Sequence, residues 1–317
     1  MDEASSRYVD KIVMEKILNE KLEKVHHYPS VSVDELKCEL LDDILTIKKT
    51  DFPLELLTSN DTTFLSPIKS GYSENDIVPV KSFASKEKSI ATILFLHGLF
   101  EDNREIYKFL INGMNKAGFD VKLLALPFHY ERKPENSLFS GEYFWSADIV
   151  RTRNAFRQAV CEMYQIYTWF ENNSNKPVFI TGFSMGGAVS LMLTTIYKEI
   201  LGLQIINPAA AFTDIVWDSP LCRTIREDYI TAGYTIEDVQ KVFAIFEPVG
   251  AKKSDIDRKR INLIYGLYDQ VTDLQQYNKL IEKWRLTNVI QYKSGHLNIL
   301  RVPRLADDIT GFFKTLM

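Results

Sequence analysis

The 317-residue chain has few cysteines, no large excess of either charge and no long hydrophobic run. Its three cysteines, Cys38, Cys161 and Cys222, form no CxxC pair, which argues against a zinc knuckle or redox pair and favours thiols in a reducing compartment. The 38 Lys and Arg against 42 Asp and Glu give a formal charge of −4, so no basic surface is expected for nucleic acid. The apolar run at 90–96 is much shorter than the roughly 20 residues that cross a bilayer.

The N-terminal residues lack a basic segment followed by an apolar core, so we expect no signal peptide and a cytoplasmic location. Apolar residues make up 45% of the chain and charged residues 25%, which is typical of a folded globular protein of one or two domains. From about residue 76, short apolar segments alternate with longer amphipathic ones. This alternation predicts an α/β fold with a mostly parallel sheet flanked by helices.

The predicted strands lie at 77–80, 89–96, 121–126, 177–181, 203–206, 261–265 and 289–292, and the predicted helices at 103–116, 146–172, 185–200, 273–284 and 302–316. Ser146 stands where it could cap the longest of these helices.

Two regions fall outside this alternation. Residues 1–75 are interpreted as an N-terminal helical extension, because apolar residues between Val9 and Val25 recur at three- and four-residue spacing until Pro29. Docking on a core is the simplest role for that helix, and a dimer contact or mobile lid is the alternative. The second region, at about 210–260 within residues 76–317, lacks strand signals and predicts a helical cap insertion above the sheet edge. Its Thr235 and Asp238 resemble a capping box.

The strongest motif is Gly182-Phe183-Ser184-Met185-Gly186, which fits Gly-x-Ser-x-Gly between a predicted strand and a predicted helix. A serine on such a turn takes strained backbone angles and projects its hydroxyl above the sheet, where the glycines leave room. The positive end of the following helix points at the same place and favours an oxyanion. Ser184 is therefore the candidate nucleophile.

A serine hydroxyl needs a base, and five histidines are available. His26 and His27 are expected at the surface, near the end of the first helix. His97 follows a buried strand, and His129 lies in the loop after the next one. Only His296 follows the last predicted strand, so it is the candidate general base.

Two carboxylates that could orient this base follow the strand at 261–265. Asp273 comes after Thr272, with Gln275 three residues beyond that threonine, so a capping box gives Asp273 a structural role. Asp269 has no such role and is the preferred candidate, whereas Asp214 is a distant alternative.

With Ser184, Asp269 and His296 in the order nucleophile, acid and base, residues from about 76 to 317 resemble the α/β-hydrolases. This resemblance implies an α/β-hydrolase fold and catalysis without a metal or an organic cofactor. It also implies an oxyanion hole built from two backbone N–H groups. One belongs to Met185, and the other follows His97-Gly98 and belongs to Leu99 or Phe100.

The segment 128–134, the long helix after it and Gly-x-Ser-Met-Gly-Gly together resemble the abhydrolase domain-containing protein 18 type of sequence. His129 and Tyr130 of this segment, together with Phe100, are predicted substrate contacts. A loop held by the charges of Glu131 and Arg132 is the alternative interpretation of the segment.

These features predict a serine hydrolase that cleaves a small-molecule carboxylic ester through an acyl-enzyme. The same residues would also suit a thioesterase, an amidase or peptidase, or a lipase acting at a membrane surface. An alternative of another class is a catalytically silent binding protein on a hydrolase fold. The natural substrate and the oligomeric state are left open.

Overall fold

The structure, a computed structural model, describes residues 2–36, 41–251 and 254–317, and Cys38 lies outside these ranges. Eight strands of the described residues form one sheet in the order β1-β2-β4-β3-β5-β6-β7-β8. The strands β3 to β8 run parallel, whereas β2 pairs antiparallel with both β1 and β4. This architecture confirms the predicted α/β-hydrolase fold.

The strands are β1 Thr62–Leu65, β2 Ile77–Phe83, β3 Ala91–Leu96, β4 Phe119–Leu124, β5 Val178–Phe183, β6 Leu203–Ile206, β7 Ile261–Gly266 and β8 Asn288–Tyr292. The helices are α1 Glu3–Glu20, α2 Lys108–Lys116, α3 Ile149–Asn173, α4 Met185–Ile196, α5 Phe212–Asp218, α6 Arg223–Thr231, α7 Ile236–Phe243, α8 Leu274–Trp284 and α9 Leu305–Lys314.

The central strands read as continuous apolar runs because helices cover both of their faces. Every residue of β3, β5 and β7 is buried. Successive side chains of a strand point to opposite faces, so β3 divides between two apolar clusters. Ile93 and Phe95 lie in the cluster that includes α2 and α9, whereas Leu94 and Leu96 lie in the cluster that includes α3 and α4. Because β3 to β8 run parallel, their carboxyl ends lie at one shared edge of the sheet.

Two predicted helix starts differ from the structure, and carboxylates explain both. The N-cap of α3 is Asp148, whose side chain accepts the Arg151 N–H, while Ser146 instead bonds the N–H of Asp148. The N-cap of α8 is Asp273 itself, not Thr272, and its carboxylate accepts the Gln276 N–H at 3.0 Å. A negative charge at a helix N-terminus gains from the helix dipole in addition to the hydrogen bond.

The N-terminal region contributes more than a helix. It contains α1 and several 3₁₀ turns, and it also supplies β1, which pairs with β2 at the edge of the sheet. This strand has only four residues, so its apolar and polar alternation cannot be distinguished from the surrounding turns by sequence pattern. The sheet therefore begins before residue 75, within the predicted N-terminal extension. The division of the chain into domains at this residue stays a prediction.

The region predicted as a helical cap contains α5, α6 and α7. The predicted capping box at Thr235 and Asp238 is present at the start of α7. Tyr229, Phe243 and Phe246 are buried, and the last two also contact Trp145 and Phe156 outside the cap. Across the three described ranges, we find no helix with the length and apolar character that a membrane span needs.

Candidate active site

Ser184 occupies the tight turn between β5 and α4. Its backbone has φ 51° and ψ −115°, and its N–H donates to the Ile206 carbonyl at 2.9 Å. A Cβ added at Gly182 would lie 2.4 Å from the Gly186 carbonyl oxygen, and one added at Gly186 would lie 2.4 Å from the Leu96 carbonyl oxygen. Both obstructing atoms belong to the backbone, so only glycine fits at these positions. The turn therefore has the geometry that the motif predicts.

Three side chains from distant parts of the sequence meet at this turn. The Ser184 Oγ lies 3.0 Å from the His296 Nε2, and the His296 Nδ1 lies 2.7 Å from the Asp269 Oδ2. A carboxylate can only accept, so Nδ1 carries the proton and Nε2 is left to accept from the serine hydroxyl. The structure thus brings together the three residues that the sequence predicts as nucleophile, base and acid.

Asp269 accepts three hydrogen bonds besides its contact with His296. Its Oδ1 accepts the N–H groups of Val271 and Thr272 at 2.8 and 2.9 Å, and its Oδ2 accepts the Tyr277 hydroxyl at 2.6 Å. The alternative Asp214 bonds Lys279 at 2.6 Å, away from this site. The contact of Tyr277 with Asp269 was not predicted from sequence, because α8 contains no motif that separates this residue from an ordinary core tyrosine.

The surroundings of His296 favour its protonated form. Burial alone would lower the pKa of the imidazole, whose residue is only 4% exposed, but the charge of Asp269 and its hydrogen bond outweigh this effect. The pKa of His296 is therefore raised above its usual value. An imidazole in such surroundings is a stronger base toward the Ser184 hydroxyl.

Two backbone N–H groups beside Ser184 have no acceptor within the described part of the chain. One belongs to Met185, the first residue of α4, and the other to Leu99 in the loop after β3. The N–H of Phe100, the other candidate, donates to the His129 Nε2 at 3.2 Å. Of the two alternatives for the second oxyanion donor, Leu99 is the one whose N–H is not used by that histidine.

His129 and Tyr130, two of the three predicted substrate contacts, do not face the space above Ser184. His129 is completely buried. Its Nδ1 donates to the Pro127 carbonyl, and its Nε2 accepts the backbone N–H of Phe100. Burial lowers the pKa of His129 to about 3, so the ring is neutral. The Tyr130 hydroxyl donates to Glu101. The structure brings neither side chain to the cavity above Ser184, because His129 lies in the interior and Tyr130 is directed toward Glu101.

Ion pairs of Glu131 and Arg132 hold the segment 128–134, as the alternative interpretation of this loop expects. Arg132 is completely buried and makes a two-pronged ion pair with Glu162, at 2.8 and 2.7 Å. Arg104 makes the same kind of pair with Glu131 at 2.9 and 2.6 Å. His97 also has a structural role, since its Nε2 accepts the Leu126 N–H at 2.9 Å.

Glu101, which the sequence analysis did not single out, lies beneath the Leu99 loop. Its carboxyl accepts the Gly98 N–H at 3.0 Å and the Tyr130 hydroxyl at 2.7 Å, and it also bonds the Tyr107 hydroxyl. Burial raises the pKa of Glu101 to about 7. Its place directly after the loop was visible in sequence, but its two tyrosine partners were not.

A cavity of about 380 Å³ opens above Ser184 and His296. Most of its walls come from the Leu99 loop, the cap and α1, and the segments that carry Trp145 and Val271 add to them. Phe100, the third predicted substrate contact, lines it. The other apolar residues around it include Val13, Met14, Ile17, Leu99, Ile106, Trp145, Ile215, Leu221 and Val271. The N-terminal helix is thus part of the pocket, a role that its amphipathic pattern alone did not reveal.

The two histidines after α1 connect it to the rest of the molecule. The His26 Nδ1 lies 2.6 Å from the Asp228 carboxylate of α6, and the His27 Nε2 lies 2.9 Å from Glu142. His26 is exposed, as expected, whereas His27 is half-buried. Among the residues that the structure describes, no three His, Cys, Asp or Glu side chains are grouped to hold a metal ion.

The parallel sheet, the strained serine turn and the site at the ends of the strands define an α/β-hydrolase. The family described as Alpha/beta hydrolase domain containing 18 matches residues 60–294, and the chain belongs to this family. A search of curated protein sequences gave no match.

Solved structures with the same fold include several hydrolases of low sequence identity. Acetyl xylan esterase 1 from Thermoanaerobacterium sp. is 17% identical with a TM-score of 0.61, and the alignment covers 94% of this chain and 98% of the esterase. Acylaminoacyl peptidase from Pyrococcus horikoshii is 15% identical with a TM-score of 0.55, over 85% of this chain and 42% of the peptidase. A carboxyl esterase from Bacillus coagulans is 14% identical with a TM-score of 0.50, over 81% and 98%.

Proposed function

We propose that this hydrolase is a serine esterase that cleaves a small carboxylic ester carrying an apolar group. The observation that supports this proposal is the unbroken hydrogen-bond chain from Ser184 through His296 to Asp269, with distances of 3.0 and 2.7 Å. Such a chain lets the hydroxyl lose its proton as it attacks a carbonyl carbon. It also favours an enzyme over a silent binding protein.

In the proposed reaction, the Ser184 Oγ bonds the ester carbonyl carbon while His296 takes its proton. The N–H groups of Met185 and Leu99 stabilise the oxyanion, each by roughly 3 kcal/mol if well placed. The C–O bond to the alcohol then breaks, and His296 protonates the leaving oxygen. Water repeats the two steps on the acyl-enzyme, releasing the acid and restoring Ser184. Asp269 keeps the imidazole in the required tautomer throughout.

The walls of the cavity support an apolar substrate group. Met14 and Ile17 of α1, Leu221 of the cap and Phe100 surround the space above the serine. Burying hydrocarbon against such walls contributes roughly 25 cal/mol per Å². The cavity volume of about 380 Å³ lies in the range typical of small-molecule sites. A cytoplasmic location and the absence of nucleic-acid binding stay predictions.

The test is covalent labelling with a fluorophosphonate probe together with hydrolysis of p-nitrophenyl butyrate. Wild-type protein should be labelled once, and Ser184→Ala should lose the label and reduce kcat by about 10³-fold or more. Ser73→Ala, at an exposed position, is the control and should behave as wild type. Labelling that persists in Ser184→Ala would refute the assignment.

A further inference from the structure

A carboxylate from the N-terminal helix reaches the two loops that carry the base and the acid. The Asp10 Oδ2 accepts the backbone N–H of His296 at 2.7 Å, and its Oδ1 accepts that of Leu297 at 3.2 Å. The same Oδ2 accepts the N–H of Gln270 at 3.3 Å, next to Asp269. One side chain of α1 therefore joins the loop after β7 to the loop after β8.

This carboxylate is buried among backbone N–H donors. Asp10 is 1% exposed, and within the described ranges no Lys or Arg forms an ion pair with it. Burial raises the pKa of Asp10, while His296 acts to lower it. Burying a carboxylate is costly unless several donors bind it. An apolar residue could also dock α1, but it could not accept the N–H groups of His296 and Leu297.

The fit around Asp10 is tight and extends one helical turn. A Cβ added at Gly295 would lie 2.5 Å from the Asp10 Oδ2, so a larger residue there would displace the carboxylate from this position. One turn earlier, the buried Ser6 hydroxyl bonds the Asn298 side chain at 3.1 Å. Asn298 in turn accepts the Gly295 N–H at 2.6 Å. Together these contacts hold the whole 295–298 loop against α1.

We propose that Asp10 is a positioning residue for His296. The Asp10 carboxylate holds the backbone of His296 while Asp269 holds its ring, and the negative charge of Asp10 stabilises the imidazolium. The inference rests on the proposed esterase function. Without the hydrogen bonds from Asp10, the imidazole would still contact Asp269 but would lose its fixed position relative to Ser184. A misplacement of about 1 Å can reduce a rate about 100-fold.

Three carboxyl groups act on His296 from three elements. Asp269 lies on the loop after β7, Asp10 on α1, and Glu101 on the loop after β3, and each favours the charged imidazolium. Removing the charge of Asp10 should therefore lower the pKa of His296. A purely structural contact would not produce this change.

The test compares Asp10→Asn with two controls on the same helix. Asparagine keeps the shape, but it replaces one acceptor oxygen with an NH₂ group that must face a backbone N–H. Ser6→Ala loosens the docking of α1 without changing charge, and Glu15→Gln removes a charge at an exposed position. Thermal melting selects a temperature at which all variants are folded.

For Asp10→Asn we expect kcat on p-nitrophenyl butyrate to fall about 10- to 100-fold with little change in KM. The ascending limb of kcat against pH should move to lower pH, because the imidazole loses its proton more readily. Asp10→Glu keeps the charge but displaces it, so kcat should fall while the limb stays in place. Ser6→Ala and Glu15→Gln should leave the limb where it is in wild type.

An unchanged kcat and limb in Asp10→Asn would overturn the inference, as would equal losses in Asp10→Asn and Ser6→Ala with no movement of the limb. Failure of the proposed function is a different result: wild-type protein would be neither labelled nor active. The pKa of His296, measured by NMR of its ring carbon in wild type and Asp10→Asn, then decides the inference. A lower value in the variant supports the role of Asp10, and an equal value refutes it.

Discussion

The buried carboxyl of Glu101 should make the free energy of unfolding depend on pH. Its side chain is 11% exposed, and burial raises its pKa from the usual 4.5 to about 7. Below pH 4.5 the folded and unfolded states both carry the proton. Between pH 4.5 and 7 the unfolded chain releases it while the folded protein keeps it, so stability falls as pH rises through this window.

The size of the effect follows from linkage. A pKa of about 7 against 4.5 corresponds to about 3 kcal/mol in total, at about 1.4 kcal/mol for each pH unit. Part of this loss has already occurred at pH 5, so about 2 to 3 kcal/mol remains between pH 5 and 8. Glu101→Gln removes the titration, and its amide oxygen can still accept from the Gly98 N–H.

The assay is urea unfolding, followed by tryptophan fluorescence, of wild type and Glu101→Gln at pH 5, 6, 7 and 8. The free energy of unfolding of wild type, minus that of the variant, should fall by about 2 to 3 kcal/mol across the series. Glu105→Gln, on an exposed side chain of the same loop, should show no such trend. A difference for Glu101→Gln that stays constant over this pH range would refute the reasoning.

Two further predictions concern the groups around the serine and the acid. Gly186→Ala should lower the free energy of unfolding by about 1 to 3 kcal/mol or more, and with it the urea midpoint, since its Cβ would meet the Leu96 carbonyl oxygen at 2.4 Å. Gly311→Ala, whose Cβ meets nothing within 4 Å, is the control, and equal midpoints would contradict the steric argument. Tyr277→Phe should cost about 1.5 to 3 kcal/mol in the same assay, because Asp269 loses a hydrogen bond to a charged group, and an unaltered midpoint would show that this bond contributes nothing.

Local signals account for the parts of the site that sequence reasoning found. Gly182, Ser184 and Gly186 lie close together in sequence, and the sterics of one turn explain all three. Asp269 and His296 follow strands whose apolar character is readable, and parallel strands bring their carboxyl ends to one edge. The choice between Leu99 and Phe100 was different, because it depended on His129, 29 residues away from Phe100 in sequence.

The sequence by itself determined which segments form the parallel sheet and which serine lies on its strained turn. Hydrophobic period and glycine sterics act over a few residues, so they can be read without coordinates. Only the tertiary structure decided that α1 forms a wall of the cavity and that its Asp10 holds His296, 286 residues later. An amphipathic stripe shows that a helix packs, but its partner depends on how the whole chain folds.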